Sequence, residues 1–463
     1  PAVAPVITHG SAGRTEPGLR LRDPQPRTLG GWDQGALWGN LGLTLLGPVN
    51  ALFILQPAGF PAMSLLGALS ATVAGTLAGT LLLALSTVVG SRTGAPAMVL
   101  MRGLFGLRLS YAPTALNLLQ CLGWAMFELW VIATALAELL PWHAYPVYVL
   151  AAGALTTLMA LRPLGVVRVL RRYALVAVAL AAGYLFVQLA RHPLPSLTAG
   201  SWSGFWVAVD TPIAVAVSWV PLAADYTRHA RTGRSAFAGS LAGYGLAQIG
   251  CFTLGLLAFA TLAGAAHGGP SPAGADPQSQ LFGAFLAVPA GFLAFAVLIA
   301  RELDESFTNV YSTAVSVQNL RPLTDRRLLA VVTGALATAG ALVLHVADYQ
   351  NFLYLIGSVF VPLTAVLVVW YFGVRRGTGW DTSDRAPARP LLLVPWLLGF
   401  IAYQLVNPGS VGWWASAWTS ARSFLHLYPP AWLSASVCAF AVAALATFAV
   451  ALLPAPRVAV VNP

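Results

Sequence analysis

The side chains in this sequence that could do chemistry sit inside long apolar stretches. In the third stretch Trp124 and Glu128 are four residues apart, so a helix puts them on one face. A flat aromatic beside a carboxylate suits a planar ligand with N–H donors: the ring stacks and the carboxylate accepts. The alternative is a Glu128 paired with a donor on a neighbouring helix, with Trp124 packing on lipid or protein. The eighth stretch holds Arg301, Glu302, Asp304, Glu305, Ser306, Thr308, Asn309, Ser312, Thr313 and Ser316. Positions 301, 305, 309, 312 and 316 step by four, four, three and four, which draws one polar stripe along a helix. A carboxylate at mid-membrane costs roughly 2.5–3.5 kcal/mol, so the stripe must face an interior, where it can hold a cation or relay a proton. Asp304 and Glu305 are the candidates for that role. An Arg301–Glu305 ion pair locking the bundle would still leave Asp304 available, because it points about 100° away from Glu305. In the sixth stretch Trp219, between Ser218 and Pro221, is a candidate ligand contact. Asp225 and Arg228, three apart at its end, read as a structural or gating pair. Asp210 is expected near the outer mouth, where hydration is easy, and receives no role.

Other chemistries find little support. No nucleophile, base and orienter can be assembled, and the seven His residues are scattered, which argues against an enzyme. Cys121, Cys251 and Cys438 each lie in an apolar run, so neither a disulfide framework nor a metal motif is implied. The Gly-rich segment 75–79 matches no phosphate-binding fingerprint and reads as a surface for close helix packing.

The elements that position these residues follow from composition. Of 463 residues, 58% are hydrophobic and 9% charged, too few charges to cover a water-soluble surface. Apolar runs of about 20 residues or more are long enough to cross the bilayer as helices, and no alternating ten-residue strands argue for a barrel. The expected fold class is an all-α polytopic membrane protein of about twelve transmembrane helices, with a surface or re-entrant helix over 280–290. The net charge of +10 does not point to nucleic acid. All 25 basic residues are Arg, and apart from Arg191, Arg422 and the in-span Arg301 they cluster around 14–27, 92–108, 162–172, 228–234, 321–327, 375–389 and 457, in alternate loops. The segments 56–62, 141–145, 276–280 and 348–351 have none. That alternation predicts both termini in the cytoplasm, with a polar cytoplasmic tail over 1–30 and another over 456–463. The absence of Lys hints at a GC-rich bacterial genome, hence a bacterial inner membrane.

Two spans are interrupted, the first within Leu46-Gly47-Pro48-Val49-Asn50 and the sixth within Ser218-Trp219-Val220-Pro221. Broken backbone at membrane depth is tolerated where it lines an enclosed cavity. Pro48 and Pro221 are 173 positions apart, and Glu128 and Asp304 are 176 apart. Near-equal offsets predict two copies of a five-helix unit, over 31–190 and 200–375, with two more helices in 389–455. Five is odd, so the copies are inverted. Broken helices at matching places in inverted repeats point to the substrate site of a secondary transporter.

Several segments resemble the nucleobase:cation symporter-1 family, the purine–cytosine permeases and hydantoin transporters. They are residues 90–98 (GSRTGAPAM) with 102–106 (RGLFG), Gly123-Trp124, 218–228 (SWVPLAADYTR), 309–312 (NVYS), and 349–352 (YQNF) with 357–362 (GSVFVP). The resemblance runs from about residue 30 to 380. It implies a five-plus-five inverted-repeat (LeuT-like) fold in which helices one, three, six and eight enclose a flat, nucleobase-like substrate. On that pattern Trp124 and Trp219 sandwich the base and Glu128 holds its hydrogen-bonding edge, with Ser218, Ser306 and Asn309 as further polar contacts. Sodium-coupled members hold the ion between helix-eight hydroxyls and helix-one carbonyls, here those of Leu46 and Gly47.

Two departures stand out. Several members have Gln where Glu128 stands; an ionised Glu only accepts, which favours substrates with adjacent donors, such as guanine, over uracil. Asp304 and Glu305 fall at or near the sodium position, which brings proton coupling forward as the alternative to sodium. The resulting expectation is a symporter importing a purine or cytosine-type nucleobase, coupled to a proton or sodium gradient. It would act as a monomer in the lipid bilayer, with no cofactor beyond that ion. The competing readings are a same-fold transporter of allantoin, a hydantoin, a vitamin precursor or an amino acid, and more remotely a channel or membrane enzyme.

Overall fold

The computed structural model describes residues 27–142, 144–161, 165–265, 277–320 and 324–453. Residues 1–26 of the expected 1–30 tail and all of the expected 456–463 tail, with Arg14, Arg20, Arg22 and Arg457, lie outside the described residues, as do Arg162 and Arg321.

The elements are helices: α1 Gly31–Gly42, α2 Leu46–Leu55, α3 Leu65–Thr93, α4 Ala97–Leu100, α5 Arg102–Phe105, α6 Tyr111–Leu139, α7 Tyr145–Leu161, α8 Gly165–Ala190 and α9 Phe205–Val217. They continue as α10 Val220–Thr227, α11 Gly233–Ala265, α12 Pro277–Ala287, α13 Gly291–Leu320, α14 Arg326–Ala341, α15 Val346–Val368, α16 Leu393–Val406, α17 Gly412–Phe424 and α18 Ala435–Leu452. Among the described residues, two isolated backbone bridges are the only strand-like pairings.

Six apolar segments are long enough to cross a bilayer, and the pair α1–α2, bent by 66°, makes a seventh. Four shorter apolar helices, α7, the described part of α8, α14 and α16, add to these. The twelfth is α13, whose 30 residues include Arg301, Glu302, Asp304 and Glu305. Twelve spans therefore stand as expected, and α12 falls where the surface helix was predicted. α17 is an addition: a short helix with no buried residue, carrying Trp413, Trp414 and Trp418.

α3 shows how sequence becomes packing here. Val73, Leu77 and Leu81, four residues apart, form an exposed apolar stripe of the kind lipid covers. The opposite face presents Gly75 and Gly79 to α9. A Cβ on Gly75 would lie 2.6 Å from the carbonyl of Val209, and one on Gly79 2.9 Å from Ile213 Cα. Small residues let these backbones meet.

Helix contacts obey the repeat. α1 packs on α11 as α9 packs on α3, exchanging spans one and seven for six and two. α6 packs on α13, and α7 on α14, each pair its own counterpart. The last contact is reciprocal in detail. Thr157 donates to Gly153 O and Thr338 to Gly334 O, both at 2.7 Å. A Cβ on either glycine would strike the other helix's threonine hydroxyl. The two Gly-x-x-x-Thr faces lie 181 positions apart and interlock as a two-fold relation between inverted repeats requires.

The Arg-bearing segments meet at one end of the bundle. Leu29 bridges to Ala230, Arg231 bonds Thr28 O, and Arg27 bonds Arg92 O. Arg102 bonds Asp384 at 2.5 Å, and Arg389 bonds Gly103 O at 2.7 Å.

Candidate functional site

The sixth span breaks at Ser218 and Trp219, within its predicted segment, while the first breaks a few residues before its predicted place. α1 ends at Gly42, Leu43 is extended at φ −90° and ψ 90°, and α2 restarts at Leu46. Pro48 is the third residue of α2, and Pro221 the second of α10. A proline in the first turn gives up an N–H that has no helical partner anyway. Both prolines thus mark where a half-helix restarts, not where the chain bends.

Beside both breaks lies a narrow cavity of about 20 Å³. α6 lends it Trp124 and Glu128, and the sixth span Val215, Ser218, Trp219 and Leu222. Glu305 and Asn309 come from α13, Leu41, Thr44, Leu46 and Asn50 from the first span, and Tyr244 and Tyr349 from α11 and α15. Six of the ten predicted site residues therefore share one chamber: Trp124, Glu128, Trp219, Ser218, Asn309 and Glu305. Leu46 makes a seventh. Ser306, Asp304 and Gly47 are not on its wall.

Glu128 is buried and is held by Asn309, whose Nδ2 donates to Oε1 at 2.7 Å. Its other oxygen, Oε2, is buried with no hydrogen-bond partner. Trp124 is set edge-on against Tyr349 and Phe352, with centroids at 6.0 and 5.3 Å. Trp219 is set against Trp38, Tyr244 and Tyr226 at 6.3, 6.3 and 6.5 Å. Edge contacts fix each indole plane. Ser218 Oγ already donates to Val215 O at 2.7 Å. Ser306 Oγ is buried without a partner.

The polar stripe is interior, as predicted: Arg301, Glu305, Asn309, Ser312 and Ser316 are all buried. The Arg301–Glu305 pair forms at 3.0 Å, and Asp304 lies 3.7 Å from Arg301 Nη1, partly exposed. Among the described residues no three His, Cys, Asp or Glu side chains are grouped to hold a metal.

Several residues gain importance only from the structure. Glu302, fully buried, accepts from Leu45 N–H at 2.7 Å and from Thr44 Oγ1 at 2.9 Å. Gln120 donates to Ser218 O at 2.8 Å, at the break in the sixth span. Asp225 accepts from Ala97 N–H at 2.9 Å, tying the sixth span to α4. Asp210 corrects an expectation. It is 1% exposed, not hydrated, because the N-terminus of α18 closes over it: Ser434 Oγ, Ala435 N–H and Ser436 N–H donate to it at 2.6, 3.0 and 2.9 Å.

Solved structures share this fold. One, described as Mhp1, a nucleobase-cation-symport-1 family transporter, in a closed conformation with bromovinylhydantoin bound, is similar with a TM-score of 0.65 at 20% identity. The match covers 93% of this chain and 94% of that one. An inward-facing Mhp1 gives 0.63 at 18%, covering 94% and 95%. A substrate-bound, outward-open, Na+-coupled sialic acid symporter gives 0.58 at 12%, covering 93% and 91%. These likenesses establish the LeuT-like fold expected from the sequence. A search of curated protein sequences returns no match. The model of one protein family, permeases for cytosine and purines, uracil, thiamine and allantoin, matches residues 38–386, most of the chain. The chain belongs to this family of membrane permeases and is a transporter, not an enzyme.

Proposed function

We propose that the protein is a secondary active symporter that imports a planar nucleobase, of purine or cytosine type, by alternating access driven by a proton or sodium gradient. The observation that carries this reading is the unpartnered Glu128 Oε2, held in place by Asn309 in a chamber that Trp124 and Trp219 also line. A carboxylate can only accept, so it calls for N–H donors on the substrate edge. Guanine offers two adjacent ones. Substrate and ion together would favour closure of the outward-facing bundle, after which the chamber opens to the other side. Glu305, on the chamber wall and paired to Arg301, is the coupling carboxyl best placed to sense both substrate and ion. The Arg-rich end of the bundle is assigned to the cytoplasm of a bacterial inner membrane, and the protein is assigned as a monomer.

The test is a thermal-shift and tryptophan-fluorescence screen of the purified protein against purines, pyrimidines and hydantoins, followed by uptake into proteoliposomes with and without an ionophore. A purine or cytosine should bind and accumulate, and the ionophore should abolish accumulation. Glu128→Gln replaces one acceptor by a donor and should weaken guanine binding by about tenfold, the loss of one hydrogen bond to a charged group. Unchanged affinity for every base tested would remove Glu128 from the substrate edge.

A further inference from the structure

The break in the first span places two half-helix ends inside the membrane. α1 presents its last carbonyls there without helical partners, and α2 its first N–H groups. Their dipoles leave a partial negative charge at the first end and a partial positive charge at the second. A carbonyl-lined helix end at this depth is a natural seat for a monovalent cation. Here the chain itself occupies both ends.

Arg301 Nη2 donates to Asn40 O, among the last carbonyls of α1, at 2.5 Å. The next residue, Glu302, accepts from Leu45 N–H and Thr44 Oγ1 at the start of α2, and that hydroxyl in turn accepts from Leu46 N–H at 3.1 Å. Both side chains are buried. Two adjacent residues of α13 therefore deliver a positive charge to the carbonyl end and a negative charge to the amide end. The guanidinium is paired with Glu305 at 3.0 Å and lies 3.7 Å from Asp304. We infer that Arg301 is a resident cation at the break in the first span, so that substrate binding and uptake require no sodium ion there, and that Arg301 and Glu302 are positioning residues that set the angle between the two half-helices. The inference rests on the transport reading above and narrows its coupling ion to the proton.

The experiment compares sodium chloride with N-methyl-D-glucamine chloride at equal concentration. In sodium-free buffer the substrate-free protein should melt at the same temperature, and guanine uptake driven by an imposed pH gradient should change less than about twofold. A saturable rise in melting temperature with sodium, or uptake lost when sodium is withdrawn, overturns the inference. Arg301→Ala empties the seat and leaves the carboxyls. That variant should lose roughly tenfold or more in uptake, the equivalent of one charge-assisted hydrogen bond, and guanidinium or sodium should restore it in part. A merely structural Arg301 would show no such rescue. Should Arg301→Ala fail to fold, the wild-type ion comparison with Arg301→Lys still decides. Sodium-insensitive melting in a protein that binds no nucleobase would overturn the proposed substrate and leave the resident cation standing; sodium-dependent guanine uptake would do the reverse.

Discussion

The two broken spans use the same sequence device with different electrostatics. In the first, Leu43 leaves helical geometry, the axis turns by 66°, and two charged residues of α13 meet the exposed ends. In the sixth, Ser218 and Trp219 keep near-helical angles, φ −57° and ψ −24° for the former and φ −81° and ψ −14° for the latter. Ser218 N–H still reaches Ala214 O at 3.0 Å, Leu222 N–H reaches Trp219 O at 3.0 Å, and a neutral amide, Gln120, covers the carbonyl of Ser218. A tightened turn orphans few backbone groups; an extended residue orphans several. At the unwound break the chain supplies full charges, and at the pinched one a carboxamide suffices.

Substituting the group at each break tests that contrast. Glu302→Ala should have the largest effect. It strips the acceptor from Leu45 N–H and Thr44 Oγ1 at the amide end of the break, two hydrogen bonds to a charged group, at a cost of about 3–5 kcal/mol. The readouts are a marked fall in melting temperature and loss of nucleobase binding. Gln120→Leu should cost less, about 1–2 kcal/mol, the worth of an interhelical hydrogen bond in a membrane protein, with binding weakened but measurable. Equal losses in the two variants would mean that unwinding does not set the electrostatic demand.

Much of this arrangement is legible in the amino-acid sequence, and the illegible part has a common cause. Twelve spans follow from apolar runs, and the interior polar stripe from its helical period, because both are local properties. Pro48 and Pro221 flag the interrupted spans, but proline is tolerated in the first turn of a restarting helix, so the unwound residues lie several positions before Pro48. Asp304 looks equivalent to Glu305 in the sequence; the pitch of α13 puts only Glu305 on the chamber wall. Glu302 is conspicuous as a charge, yet its partners Thr44 and Leu45 are 258 and 257 positions away, and no periodicity reports them. Asp210 reads as a hydrated outer residue because nothing nearby reveals that α18 returns to cover it. α17 escapes notice because its segment is too mixed to cross a membrane; its tryptophans Trp414 and Trp418 pack edge-on to Phe400 of α16 or beside it at about 6 Å.

The smallest expected effect belongs to that returning helix. The sixth span has a buried carboxylate, Asp210, but directs it to the N-terminus of α18 instead of its own break, where the α18 dipole favours a negative charge. Ser434 serves the same terminus twice: its hydroxyl donates to Asp210 at 2.6 Å and accepts from Val437 N–H at 3.1 Å. Ser434→Ala removes both bonds yet leaves Asp210 on the N–H groups of Ala435 and Ser436. The loss should be that of an N-cap, about 1 kcal/mol, seen as a small drop in melting temperature with nucleobase affinity unchanged, because the chamber lies elsewhere. If charge matched to an orphaned helix end carries the energy, the hydroxyl is secondary to the carboxylate and this small value follows. A destabilisation in Ser434→Ala as large as that of Glu302→Ala would show that any missing cap is costly here, whether charged or neutral. The difference between the first break and the sixth would then reflect geometry without electrostatics.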